Sequence, residues 1–214
     1  MGNASSGFSS PLEHWNSRFD RADYIFGTAP NEYLASQSRY LVEGRRILMV
    51  ADGEGRNSVW CAQQGMRVDA FDLSPVAVEK AKRLATERGV QVNSQVSGID
   101  DWSWEPDTYD VVAAIFVQFA TPRMRARLFA NCLQTLRPGG IFILQGYTPK
   151  QLEFKTGGPP VLEHLYTEPM LRDAFSSIEI LEMRSYEAEI NEGVYHAGMS
   201  ALVGMVGRKP GNGA

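Results

Sequence analysis

A chain of 214 residues, 43% of them hydrophobic, is long enough for one domain with an ample core. Its formal charge of −4, with scattered lysines and arginines, excludes a basic nucleic-acid surface. No stretch approaches the roughly 20 apolar residues of a membrane span, and Cys61 and Cys132 each fall in a helical apolar pattern, so a cytoplasmic protein with buried thiols and no membrane partner is expected.

Residues 1–10 lack the basic segment and apolar core of a secretory signal and are expected to form a disordered leader, with 210–214 a flexible tail. Between them a single domain, 11–209, is expected to begin with a helical lid. Its first helix runs from Pro11 to about Asp20 and carries Trp15 and Phe19 on one face. The aromatic loop Tyr24-Ile-Phe-Gly-Thr-Ala-Pro30 then leads to Asn31, an N-cap for a helix over 31–43. Strand and helix patterns alternate thereafter: strand 46–51, helix 56–64, strand 67–71, helix 75–88, strands 90–96 and 110–116, helix 122–136, strand 141–147. That rhythm belongs to a parallel sheet covered by helices, with Arg88-Gly89 and Leu136-Arg-Pro-Gly-Gly140 as helix stops. Arg123, Arg125 and Arg127 lie in an amphipathic helix and read as a solvated face. A long Pro/Gly-containing loop, 148–165, precedes a helix at 168–174 and two strands, 177–189 and 195–207. The connection Ile190-Asn-Glu-Gly-Val194 is too short for a helical crossover, so the last strand is antiparallel.

Chemistry concentrates where the apolar run Ile47-Leu-Met-Val50 breaks into Ala51-Asp-Gly-Glu-Gly55. Gly53 and Gly55 permit a tight turn and close approach of a ligand, and Asn57 or Ser58 is placed to cap the helix that follows. Asp72, at the tip of the second strand and about 20 residues beyond the glycine turn, is placed to accept both hydroxyls of a ribose. Capping of the next helix would use the same residue, but Ser74 already suits that role. Leu73 is positioned to pack on an adenine face. A nicotinamide dinucleotide fits these features equally well; the missing third glycine, replaced by Ser58, and the antiparallel last strand speak against it.

With these features the chain resembles the class I S-adenosylmethionine-dependent methyltransferases, whose three-layer Rossmann-like sheet has seven strands with the last one antiparallel. Within them it is most similar to the small-molecule group related to tellurite-resistance methyltransferase, over Trp15 to Lys209. The motifs that carry the similarity are Trp15-Asn-Ser-Arg-Phe19, Asp23-Tyr-Ile-Phe-Gly-Thr-Ala-Pro-Asn31, Gly53-Glu-Gly-Arg-Asn57, Leu136-Arg-Pro-Gly-Gly140, Gly157-Gly-Pro-Pro160 and Gly193-Val-Tyr-His196. The resemblance implies S-adenosylmethionine as cofactor and S-adenosylhomocysteine as product. It places the methionine moiety against Ala51 and Gly53, within the turn that includes Gly55 and Asn57, the ribose on Asp72, and Ile99 and Asp101 beside the adenine. Phe116 and Gln118 would lie beneath the methyl, and Tyr24, Phe26 and Gly27 in a lid. Two positions depart from the pattern: Met49 replaces an acid and Ala51 a glycine, leaving Asp52 or Glu54 to supply the charge facing the methionine amino group.

An electrophilic sulfonium carbon asks chiefly for in-line positioning and exclusion of water. Side chains placed to meet an acceptor are Tyr147, His164, Arg184 and His196, the histidines as bases and Arg184 as an oxyanion holder. Lys150, Lys155 and His164 make the long loop modestly basic, and no metal-ligand spacing is present. The reading is methyl transfer to a small soft nucleophile, such as a metalloid oxyanion or a thiol, by a monomer or homodimer without a nucleic-acid partner. The alternatives are an NAD(P)-dependent oxidoreductase and a non-catalytic S-adenosylmethionine-binding protein.

Overall fold

The computed structural model describes residues 11–211; the expected leader falls outside these residues, as does most of the expected tail. Helix α1 (Pro11–Phe19) and the short α2 (Glu32–Ser36), followed by a 3-10 turn over Ser38–Tyr40, precede the sheet. Then come β1 (Arg46–Val50), α3 (Arg56–Gln63), β2 (Arg67–Asp72), α4 (Pro75–Glu87), β3 (Asn93–Val96), β4 (Tyr109–Ile115), α5 (Pro122–Thr135) and β5 (Leu136–Tyr147). The chain closes with α6 (Gln151–Phe154), α7 (Glu168–Ala174), β6 (Glu179–Asn191) and β7 (Ala197–Arg208).

Seven strands lie in the order β3-β2-β1-β4-β5-β7-β6. The first five pair in parallel, while β7 runs antiparallel to both β5 and β6. The closing hairpin therefore inserts its second strand into the sheet and leaves β6 at the edge. Strand order reverses between β1 and β4, and open α/β sheets bind ligands at that switch, outside the strands' carboxyl ends.

Successive side chains of a strand point to opposite faces, so a strand covered on both sides must be apolar throughout. Leu48, Val50, Val112, Ala114, Phe142 and Leu144 enter one core with Phe129 and Cys132 of α5. Ile47, Met49, Val111, Ala113, Ile141 and Ile143 enter the other with Tyr33, Leu34 and Cys61. The two thiols lie on opposite sides of the sheet, both buried.

Five features differ from expectation. The helix expected over 31–43 ends at Ser36, whose hydroxyl bonds back to the Tyr33 carbonyl at 2.7 Å and competes with the helical ladder. The strand expected over 90–96 is confined to Asn93–Val96. Strand β5 begins at Leu136 rather than 141, pairing first with Tyr109 and then shifting register. The segment 148–165 holds α6 and a 3-10 turn, Leu162–His164, and the hairpin turn lies two residues later than expected, where Glu192 N–H donates to the His196 carbonyl at 2.7 Å.

Gly55 sits at φ +91, and a Cβ there would stand 2.7 Å from that of Ala81, so α3 and α4 touch through the missing side chain. Gly44, at φ +80, faces open space. Gly44→Ala should therefore cost about 1 kcal/mol from conformation alone, and Gly55→Ala about 2–4 kcal/mol from conformation plus overpacking. Urea unfolding of the two variants should rank them in that order.

Candidate active site

The turn after β1 is built from left-handed residues: Ala51 at φ +48, Gly53 at +63 and Gly55 at +91. Ala51 carries the conformation for which glycine is the usual solution, at a cost on the order of 1 kcal/mol. Gly55 is the N-cap of α3, so neither Asn57 nor Ser58 caps that helix. Asp52 does so from outside it, its carboxylate accepting from the Ser58 N–H at 3.3 Å and from the Ser58 hydroxyl.

Asp72 is buried at the end of β2. Its Oδ2 accepts from Gly53 N–H and its Oδ1 from Ser74 N–H, each at 2.9 Å, while Ser74 itself caps α4. A carboxylate has about four acceptor positions, so two remain for a diol. Burial pushes the Asp72 carboxyl up to about 6, against the two backbone bonds that favour its charge. Desolvation raises Asp52 to about 7, opposed by its bonds to Ser58. Beyond β2, the Leu73 side chain and Asp101 Oδ2 both lie within 4 Å of where a Cβ of Gly98 would stand, so these two come together at one rim. Ile99 is buried in the core beside Phe71.

A cover lies over the turn. The Phe19 ring would touch a Cβ on Gly53 at 3.6 Å, and Asn16 Oδ1 accepts from the Ser74 hydroxyl at 2.6 Å. Glu54 forms a buried ion pair with Lys80 and accepts from Ile25 N–H at 2.8 Å. Arg56 forms a buried ion pair with Glu192 at 2.7 Å, and Asn31 Nδ2 donates to Glu192 at 2.9 Å and to Gln145 at 2.6 Å. Asn57 accepts from Asn31 N–H at 2.8 Å.

These contacts correct several expectations. Glu54 is committed to Lys80 and to the Ile25 N–H, so it is no free charge facing a methionine amino group; Asp52 holds Ser58 through both of its oxygens. Asn57 holds the cover rather than a ligand. Tyr24 packs with Val59 and Leu84 and donates to the Lys80 carbonyl at 3.2 Å, which ties it to α3 and α4. Gly27 lies beside the hairpin, 3.8 Å from Gly193 N to its Cβ position.

On the other side of the turn, Phe116 adopts φ +56 just after β4 and stacks on Tyr147, ring centroids 4.7 Å apart. The His196 ring sits 4.4 Å from Phe116, 4.6 Å from Phe26 and 5.7 Å from Tyr147. Burial and the nearby Arg56 charge push His196 down to about 3, and its Nδ1 is buried without a hydrogen-bond partner. Gln118 spends its side chain on Tyr147 N–H (2.6 Å) and on the Tyr147 and His164 carbonyls (2.9 and 3.0 Å), which makes it a brace for the 148–165 segment.

Two residues expected to meet an acceptor stand apart from this cluster. Arg184 is largely exposed on the edge strand, paired with Glu182 at 3.4 Å and lying over Tyr186, so it holds no oxyanion here. His164 is attached to the site only through its backbone carbonyl. Lys150 is exposed and paired with Glu187. Sequence reasoning missed Asn31 as a bridge, Lys80, Gln145 and Glu192. Gln145 carried a signal, a polar residue closing the apolar run Ile141-Phe-Ile-Leu144; the others did not. Among the described residues no group of three or more His, Cys, Asp or Glu could hold a metal, and no helix is long and apolar enough to cross a membrane.

Residues 47–140 match the family model described as a methyltransferase domain. The chain is 34% identical to ubiquinone biosynthesis O-methyltransferase of Xanthomonas euvesicatoria pv. vesicatoria over 53% of its own length and 46% of that protein. It is 24% identical to tRNA N(3)-methylcytidine methyltransferase Mettl2 of Drosophila melanogaster over 79% of this chain and 59% of the other. The chain thus spans about half the length of these relatives. The structure of TehB from Haemophilus influenzae superposes with a TM-score of 0.68 at 14% identity, covering 92% of this chain and 66% of that one. Residues 47–140 thus match a methyltransferase domain, and the sheet order with β7 antiparallel is that of the class I S-adenosylmethionine-dependent methyltransferase fold. The nicotinamide reading falls with the antiparallel β7.

The Asp72 carboxyl lies above its ordinary value in the folded chain, so folding takes up a proton between about pH 4 and pH 6. Its contribution to stability is complete below pH 4 and lost as pH rises through about 6, by up to about 3 kcal/mol. Denaturant unfolding across that window should show wild type losing stability relative to Asp72→Asn as pH increases.

Proposed function

We propose that the chain transfers a methyl group from S-adenosylmethionine to a small, soft nucleophile: a metalloid oxyanion, a thiol or a similar metabolite. The observation that carries this reading is the cluster of aromatic rings, Phe26, Phe116 and Tyr147 packed around His196, at the ligand-facing end of the sheet. Bound S-adenosylmethionine would supply an electrophilic methyl on sulfur, whose transfer to the acceptor would leave the electron pair of the broken S–CH3 bond on sulfur. Asp72 is the residue for the ribose, with Gly53, Leu73 and Asp101 lining the same cleft. Aromatic faces suit a sulfonium cation and a polarizable acceptor, and they exclude water from the in-line path.

His196, neutral throughout the physiological range, is a weak base. That favours an acceptor that arrives already ionised, or one whose proton leaves readily, with His196 orienting it through Nδ1. A Cβ on Gly193 would stand 2.3 Å from the Ile25 carbonyl, and one on Gly158 2.6 Å from the Tyr147 ring, so the hairpin turn and the 156–160 segment pack closely around the ring cluster. Such close packing favours a small molecule over a nucleic-acid acceptor. A non-catalytic cofactor binder is the second reading, favoured by the burial of Met49 in the apolar core where the family has an acid.

Isothermal titration should show S-adenosylhomocysteine binding to wild type and binding weakened by about 1–3 kcal/mol in Asp72→Ala, the loss of a charge-assisted pair of hydrogen bonds. No heat with wild type at millimolar ligand would overturn the cofactor assignment.

Release of S-adenosylhomocysteine from a panel of tellurite, selenite, thiols, halides and phenols should identify an acceptor. With it, His196→Ala should lower kcat by roughly tenfold or more while leaving cofactor affinity nearly unchanged. Silence across the panel, with the cofactor bound, would support the binder.

A further inference from the structure

The cover over the glycine turn is pinned at two places. Residues 20–31 contain neither helix nor strand, yet they run across the ligand-facing end of the sheet. At the far end, Asn31 is held by Glu192, Gln145 and Asn57. At the near end the strap wraps a single ammonium. Lys80 Nζ donates to the carbonyls of Phe19 at 3.2 Å, Arg21 at 3.1 Å and Asp23 at 2.7 Å, and pairs with Glu54. The same Glu54 accepts the N–H groups of Ile25 and Phe26. Four backbone groups of the strap and the carbonyl of Phe19 at the end of α1 thus converge on one buried ion pair, whose members are 5% and 2% exposed.

Besides these bonds, Phe19 and Ile25 pack on Ala77, and Tyr24 packs on Val59 and Leu84 and bonds the Lys80 carbonyl; beside them an open cleft of about 380 Å³ lies between the strap and α4, lined by Asp20, Arg21, Val76 and Arg83. Glu54 stands between Gly53, whose N–H meets Asp72, and Gly55, which caps α3. Phe19 and Asn16 lie over that same turn. A ligand on Gly53 and Asp72 would lie beneath Phe19 and Asn16 at the end of α1, where that helix runs into the strap and where Lys80 holds the Phe19 carbonyl, so α1 and the strap would have to lift together for it to leave.

We propose that Lys80 is a positioning residue: through Glu54 and the carbonyls of residues 19–23 it latches the strap over the cofactor turn and sets how long the cofactor stays bound. Lys80 itself touches neither cofactor nor acceptor. The second half of the inference rests on the cofactor assignment made above.

The test uses the full chain with S-adenosylhomocysteine as probe. Lys80→Met leaves Glu54 buried without its partner, so the double variant Lys80→Met with Glu54→Gln, which removes both charges, is made alongside it. Amide hydrogen exchange without ligand should accelerate roughly tenfold or more at Ile25 and Phe26, while the amides of β1 keep their protection. Stopped-flow release of the probe should accelerate by a similar factor, roughly tenfold. Unchanged exchange at Ile25 and Phe26 in the double variant would overturn the latch. Faster exchange with unchanged probe release would overturn its control of the cofactor. Failure of the probe to bind wild type would refute the cofactor assignment and, with it, that control, while the exchange data still decide the latch.

Discussion

Two buried ion pairs on either side of Gly55 hold together the ligand-facing end of this molecule. Glu54 and Arg56 sit within a turn that has no side chain at 53 or 55, and each carries its charge out of water into a contact with another segment. A buried charge is tolerable only with its partner in place; loss of one partner typically costs about 3–5 kcal/mol. Glu54 thereby fixes Lys80 and the strap, and Arg56 fixes Glu192 and the hairpin that carries His196. The polar members of the glycine motif organise the cover, and the motif's backbone, with Asp72, is left for the ligand.

This division explains the departures from the family pattern. Met49 lies in a strand whose residues alternate between two apolar cores, and its side chain belongs with Ile47 and Ala113. An acid there would need a partner that the neighbouring strands do not offer, since Val111 and Ala113 are apolar. Ala51 keeps the left-handed geometry that glycine usually provides, so the turn retains its shape and gains a methyl that packs against the core.

The ring cluster around His196 follows from the same topology. Strands β1 and β4 are adjacent at the switch in strand order, and each ends in a left-handed residue, Ala51 and just beyond it Phe116. Phe116 turns back onto Tyr147 at the end of β5, and insertion of β7 beside β5 brings the hairpin turn with His196 over both rings. Desolvation by this aromatic enclosure keeps the imidazole neutral.

The sequence by itself determined the fold class, because strand and helix periodicity, glycine stops and a short last connection are local signals with one compatible sheet. It also marked the glycine turn and Asp72, since both sit at strand ends that the periodicity locates. Short-range competition blurred the elements whose limits depend on side-chain bonds, as at Ser36, where a hydroxyl ends the helix. Only the tertiary structure decided which charges face which: Lys80 lies 26 residues from Glu54 in sequence and Glu192 lies 136 from Arg56. It likewise turned Arg184 outward and His196 inward, though both lie in the closing hairpin region. Burial and ion pairing over such separations are products of packing, and no local pattern in the chain encodes them.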